Sequence, residues 1–99
     1  MFKFNIWDCE IVKHKYSNGR TALQLVSAVD VDDVYKGEPI ATATVNIPEM
    51  DLKENEVIIK DYSENEGMLE ALVAAGIVVP TGRFVDSGFV TCPICILNP

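Results

Sequence analysis

The chain has 99 residues, 48% of them hydrophobic and 23% charged, and its fifteen acidic and eight basic residues give a formal net charge of −7. This length and composition predict a single folded domain over residues 1–99 and exclude a chain that is disordered throughout. The scattered basic residues and the acidic balance argue against direct binding to nucleic acid or to an anionic membrane surface.

The first half of the chain predicts three strands. Apolar residues alternate over 2–6 and again over 7–11, but in opposite phase, which predicts one long strand with a β-bulge or bend near Ile6 and Trp7. The sequence Ser-Asn-Gly-Arg at 17–20 is typical of a tight hairpin turn, so residues 21–28 should pair antiparallel with the first strand. Alternation over 40–47 predicts a third strand, half-buried.

One helix is predicted in the second half, over about 64–75. It follows a short predicted strand at 56–60. Ser63 and Glu66 have the S-x-x-E spacing of a capping box, in which each side chain satisfies a backbone N–H of the other residue. Gly76 is a typical residue to follow the last helical turn.

Short strands follow the helix. Residues 77–79 predict one strand, which a turn at 80–82 closes. Residues 84–85 and 89–92 predict one or two more, with a turn at 86–88 between them. The predicted fold is therefore α+β: a bent antiparallel sheet of five or six strands, partly barrel-like, with the helix packed on it. The residues expected in the core are Leu23, Leu25, Val45, Ile47, Ile58, Leu69, Leu72, Val73 and Phe89.

The three cysteines predict a reducing compartment. Their odd number does not suit a secreted disulfide scaffold, and no signal peptide or membrane-spanning run is recognisable, so we expect a cytoplasmic protein. Cys92 and Cys95 form a C-x-x-C motif, but the chain that follows is too short for the helix of a redox pair. Cys9 and His14 do not provide a regular second half of a zinc site. We expect reduced, structural cysteines and no metal or other cofactor.

The acidic residues are concentrated in one stretch. Eight lie within residues 49–70, where only Lys53 and Lys60 oppose them. Three interpretations are open: a solvated face, an interaction surface for a basic partner, or a metal site. Glu64 and Glu66 have a local role at the predicted helix start, where negative charge meets the helix dipole. The residues predicted to bind a partner are Glu49, Asp51, Glu54, Glu56, Asp61 and Glu70.

Several segments together resemble a family of small uncharacterised proteins encoded by bacteria, their phages and other mobile elements. They are residues 18–26, 37–46, 59–69, 81–83 and 88–90. The resemblance implies no activity and no catalytic residues. It implies a context in which small acidic proteins bind host proteins, and in which some, as anti-CRISPR proteins do, occupy the basic channels of defence complexes.

The expected function is that of a non-enzymatic acidic binding protein, an inhibitor of a host defence nuclease complex, whose acidic surface meets a basic protein surface. Two alternatives remain. The first is a small redox or metal-binding protein that uses Cys92 and Cys95. The second is a structural module that self-associates through an exposed strand edge.

Overall fold

The computed structural model describes residues 1–98, which form seven strands, one α-helix and a short 3₁₀ helix. The predicted α+β class agrees with this architecture, whereas the prediction of one sheet with five or six strands is wrong, because the seven strands form two sheets. The elements are β1 (Phe2–Phe4), β2 (Trp7–Lys15), β3 (Thr21–Ser27), β4 (Pro39–Thr42), β5 (Glu56–Ile58), the 3₁₀ helix (Ser63–Asn65), α1 (Met68–Ala74), β6 (Val78–Ser87) and β7 (Val90–Leu97).

The two sheets are antiparallel and meet at a narrow seam. One has the order β1-β2-β3-β4 and the other the order β5-β7-β6. After β4 the chain leaves the first sheet: Thr44 pairs with Ile59, and the N–H of Lys60 donates to the carbonyl of Ala43 at 2.8 Å. The strand predicted over 40–47 therefore ends at Thr42. The N–H of Ala43 still donates to the carbonyl of Leu23 in β3 at 2.8 Å, and from Thr44 onward the backbone pairs with residues 58–59.

The first apolar alternation belongs to a hairpin, so the predicted bulge is wrong. Phe4 pairs with Trp7 across a two-residue turn of Asn5 and Ile6. Asn5 has a φ of 57°, and a positive φ at the first central position alone is the pattern of a type II′ turn. Cross-strand partners share a face, so the apolar phase changes because the chain reverses. Ile6 stands at the tip, 76% exposed.

The second predicted hairpin is confirmed. β2 pairs with β3 in an unbroken register that ends at Lys15 opposite Thr21. Its loop is longer than the tightest type, since the N–H of Tyr16 donates to the carbonyl of Arg20 at 2.8 Å. Gly19, with a φ of 84°, takes the left-handed position that closes such three-residue loops.

The predicted helix over 64–75 is interrupted. Gly67, with a φ of 92°, separates the 3₁₀ helix from α1, because a left-handed residue cannot continue a right-handed helix. The predicted capping box is wrong for the same reason: α1 begins after Gly67 instead of Ser63. The carboxylate of Asp61 accepts the N–H of Leu69 at 3.0 Å and so satisfies one of the free donors at the start of α1.

The last hairpin is longer than predicted. β6 continues through the turn predicted at 80–82, where its register with β7 shifts between Pro80 and Phe84. The reversal occurs at Gly88 and Phe89, because Ser87 pairs with Val90, and not at 86–88. Gly88 has a φ of 62° and Phe89 does not have a positive φ, so this turn also has the type II′ pattern.

Two apolar clusters stabilise the domain. The main cluster lies between the sheets and α1, which packs against β1 and β6. The second cluster consists of Ile58, Cys92 and Ile94 with the half-buried residues around them. No helix within residues 1–98 is long and apolar enough to cross a membrane.

The predicted core is correct in part. Leu23, Leu25, Ile58 and Leu72 are buried, and Val45, Ile47 and Leu69 are half-buried. Val73 is 41% exposed, and Phe89 is fully exposed at the tip of the β6–β7 hairpin. These two assignments were wrong because apolar character alone does not distinguish a core residue from one on an outer helix face or a turn.

Candidate functional site

The acidic loop, residues 48–55, joins the seam to β5. Met50 and Leu52 pack against the second cluster, while Glu49 and Asp51 between them are exposed. Glu54 is exposed near the end of the loop. This alternation anchors the loop by its apolar residues and directs three of the six predicted site residues into solvent.

Arg20 fixes the start of the acidic loop. Its guanidinium donates to the carbonyl oxygens of Ile47 at 2.6 Å and Pro48 at 3.4 Å, and to that of Met50. A fork of N–H donors suits this role because one side chain can satisfy several carbonyls at once. The charge of Arg20 is thus directed at backbone dipoles and does not form a salt bridge with a carboxylate of residues 1–98.

Glu56 fixes the other end of the loop and is not a surface residue. It is 6% exposed, and its two carboxylate oxygens accept from Nη1 of Arg83 at 3.0 and 2.9 Å. Oε1 also accepts the N–H of Lys53 at 2.9 Å. The Lys53 amide, together with the Arg83 guanidinium, holds the pKa of this carboxyl below its usual value. Glu56 is therefore too buried in this conformation to bind the partner protein that the sequence predicted for it.

The two remaining predicted residues lie near the start of α1, Asp61 outside the helix and Glu70 within it. Asp61 is half-buried and accepts the N–H of Leu69, and Glu70 is exposed in the first turn of the helix. The six predicted residues therefore fall into three groups. Glu49, Asp51 and Glu54 share the acidic loop, Glu56 is buried beneath it, and the other two lie near the start of the helix.

Glu64, predicted to lie at the start of the helix, lies in the 3₁₀ helix before α1 and forms an ion pair there. Lys60 donates to its carboxylate four residues away. This contact lowers the pKa of Glu64 and raises that of Lys60. Both charges of this pair are therefore compensated locally.

A second acidic segment lies at the other end of β3. Asp30, Asp32 and Asp33 are exposed in the connection between β3 and β4, where Asp30 accepts the N–H of Lys36 at 2.7 Å. The acidic loop is held by Arg20, at the beginning of β3, whereas this connection follows Ser27, at its end. The chain thus carries two separate groups of three exposed carboxylates.

The C-x-x-C motif cannot act as a pair in this fold. Side chains alternate along β7, so Cys92 and Cys95 lie on opposite faces of the sheet: Cys92 in the second cluster and Cys95 in the main one. Burial raises the pKa of both thiols and of Cys9, that of Cys95 to about 11. Within residues 1–98 no three His, Cys, Asp or Glu side chains form a metal-binding group.

One groove of about 510 Å³ opens beside β4. Its walls combine the aromatic rings of Phe4 and Trp7 with Thr44, Lys60 and Asn65. The buried amide of Asn65 donates to the carbonyl of Thr42 at 2.7 Å, and the one carboxylate in the lining, Glu64, is already paired with Lys60. Lys60, Glu64 and Asn65 of the lining are therefore already engaged within the fold.

Comparison with known proteins found no relative: no family model, curated protein or solved structure matches the chain.

Proposed function

We propose that the chain is a non-enzymatic binding protein whose acidic loop docks on the basic, nucleic-acid-binding surface of a protein partner. The observation that carries the proposal is the exposure of Glu49, Asp51 and Glu54 on one anchored loop. Only Lys53 opposes them there, since Arg20 and Arg83 are held by carbonyls and by Glu56.

The anchoring supports a binding role because it reduces the entropy that docking would otherwise lose. Arg20 holds one end of the loop, the contact between Glu56 and Arg83 holds the other, and Met50 and Leu52 pack beneath it. A preorganised surface binds more tightly than a mobile one that makes the same contacts. A solvated face that serves only solubility would not require such anchoring.

The charge pattern favours a partner built to bind phosphate. Three carboxylates within six residues present closely spaced negative charge to groups of Lys and Arg side chains, which accelerates encounter and suppresses binding to acidic surfaces. Together with the resemblance to proteins of mobile elements, this favours an inhibitor of a host defence nuclease complex that occupies the channel where DNA would lie.

The test is competition with DNA. A panel of purified RNA-guided nuclease complexes is titrated with the protein while the anisotropy of a fluorescent duplex target reports DNA binding. We expect wild type to displace DNA from at least one complex, and less effectively as salt rises, because exposed charges are screened. The triple substitution Glu49→Lys, Asp51→Lys and Glu54→Lys should weaken displacement about a hundredfold or more.

A matched control has the same change of net charge elsewhere. Asp30→Lys, Asp32→Lys and Asp33→Lys reverse the three exposed carboxylates between β3 and β4 and should leave displacement almost unchanged. Glu56 and Glu64 are left intact because both form ion pairs within the fold. If wild type displaces DNA from no complex, or if the two triple variants behave alike, the proposed function is wrong.

A further inference from the structure

The tip of the β6–β7 hairpin carries an aromatic side chain that the local structure does not require. A type II′ turn needs the positive φ of Gly88 at its first central position, and its second position accepts a polar residue equally well. Phe89 occupies that second position and is fully exposed. A large ring entirely in water contributes nothing to folding, but it can contribute strongly to binding.

The hairpin that carries Phe89 is braced on both faces. On one face Thr91 donates to the carboxylate of Asp86 at 2.9 Å across the two strands. On the other face Val85 and Val90 pack against the second cluster. The ring is therefore held at the end of an ordered arm instead of a mobile loop.

The same cluster connects the hairpin to the acidic loop. Met50 and Leu52 of the loop and Val90, the neighbour of Phe89, all pack against Ile58, Cys92 and Ile94. Nη2 of Arg83, on β6, also lies 3.5 Å from the carbonyl oxygen of Asp51. The exposed ring and the exposed carboxylates thus belong to one structural unit.

We propose that Phe89 is the apolar anchor of this docking surface and inserts into an apolar pocket bordered by Lys or Arg side chains on the partner protein. The proposal rests on the proposed function, since Glu49 and Asp51 of the acidic loop, with Asp86 of the hairpin, provide the charge that such a border would match. A central aromatic anchor with a charged rim is the common arrangement of protein interfaces.

The charges of this unit favour a protein over a membrane or a nucleic acid. An anionic bilayer or a phosphate backbone needs nearby Lys or Arg, and the one cation of the hairpin, Arg83, is held by Glu56. The expected contact is therefore a pocket in a protein surface.

The experiment replaces Phe89 with the photoreactive residue p-benzoylphenylalanine in the full chain, expressed and irradiated in bacterial cells. Ile6 provides the matched control position, since it is also an exposed apolar residue at the second position of a type II′ hairpin. We expect position 89 to crosslink to apolar residues of one protein with Lys or Arg beside the crosslinked site, and position 6 not to crosslink there.

The affinity for that crosslinked protein is then measured with unlabelled variants. Phe89→Ser should raise Kd about tenfold or more, as loss of an anchor does, while Ile6→Ser should leave Kd unchanged. Circular dichroism and thermal melting confirm that both variants fold. Crosslinks only to lipid or to a second copy of the chain, or equal crosslinking from positions 89 and 6, would overturn the proposal.

The outcome separates the anchor from the acidic loop. If Kd depends on Phe89 but not on the loop triple variant, and the crosslinked protein does not bind nucleic acid, the anchor survives and the proposed function fails. If DNA displacement requires the loop carboxylates but Phe89→Ser displaces DNA as well as wild type does, the proposed function survives and the anchor fails.

Discussion

Glu56 is a buried carboxylate whose negative charge is balanced by donors on both sides. Nη1 of Arg83 reaches both of its oxygens and the N–H of Lys53 reaches one of them. Such a carboxylate stabilises the fold only while it is ionised, since a protonated carboxyl would lose the attraction of the guanidinium. The contact also connects the acidic loop to β6, so its effect extends to the position of the candidate site.

Glu56→Gln should therefore destabilise the protein in a pH-dependent way. The pKa of Glu56 is lower in the folded than in the unfolded state, so its contribution is fully present above the unfolded value of about 4.3 and is lost as pH falls through the folded value. Urea unfolding between pH 7 and pH 3 should show a higher free energy of unfolding for wild type than for Glu56→Gln at pH 7. This difference between the two proteins should shrink below about pH 4.

The matched control is Glu54→Gln, which removes the same charge from an exposed position of the same loop. Its unfolding midpoint should differ little from wild type at any pH. A stability difference for Glu56→Gln that stays constant down to pH 3 would show that ionisation of this carboxyl does not stabilise the fold.

At the scale of elements, the start of α1 depends on a side chain outside the helix. Gly67 has no side chain with which to cap α1, and Asp61, six residues earlier, accepts the N–H of Leu69 instead. Ser63 and Gly67, which lie between Asp61 and Leu69, both adopt a positive φ. These two residues let the chain turn back so that Asp61 reaches the start of α1. α1 has only seven residues, so one lost cap affects a large part of it.

We expect Asp61→Ala to lower the free energy of unfolding by about 1 kcal/mol, the usual cost of a lost helix cap. Glu66→Ala removes the same charge from the residue that the sequence pairs with Ser63, and should change stability by less than about 0.5 kcal/mol because Glu66 is exposed. Chemical denaturation of both variants checks this. Equal losses of stability, or a larger loss for Glu66→Ala, would show that the predicted capping box of Ser63 and Glu66 stabilises the helix and that Asp61 does not cap it.

Sequence periodicity identified most strands of this fold and failed mainly at the turns. Alternation located β2 and the Asn-Gly turn located β3, whereas only the start of β7 was predicted, over 89–92. Alternation could not distinguish a bulge from the two-residue reversal at Asn5, since both shift the apolar phase by one residue. Pro80 and Gly82 predicted a turn because Pro and Gly are typical of turns, but the same residues also occur where an edge strand is irregular, as β6 is here.

At the scale of the whole molecule, one hydroxyl lies at the seam between the sheets. Oγ1 of Thr44 accepts the N–H of Leu23 at 3.2 Å and lies 2.8 Å from the hydroxyl of Tyr16. Thr44 itself pairs with Ile59 of the second sheet. This residue therefore joins β3 and the β2–β3 loop of the first sheet to the strand region of the second.

Thr44→Val keeps the shape of the side chain and removes the hydroxyl that accepts the N–H of Leu23. Because Leu23 is buried, water cannot easily replace this acceptor. We expect a loss of about 1–3 kcal/mol in the free energy of unfolding and faster hydrogen exchange at the Leu23 amide. Thr42→Val, the same change at an exposed position of β4, should be nearly neutral. If the two variants are equally stable, the hydroxyl does not stabilise the seam.

The candidate site was predictable only as a charge pattern. The sequence located Glu49, Asp51 and Glu54 because they lie in a run of acidic residues with no local capping role. It could not show that Glu56 is neutralised by Arg83, since the two are 27 residues apart and meet only when β5 and β6 flank β7. Phe89 was misassigned to the core, because its exposure depends on a turn position one residue from the predicted one.

The outer edge of the second sheet affects how the protein should behave at high concentration. This sheet ends at β6, where Pro80 lacks an N–H and the register with β7 shifts before Phe84. The edge therefore offers another chain an interrupted row of backbone N–H and C=O groups. We expect a variant with an unbroken β6 edge to self-associate more readily at high concentration than wild type does.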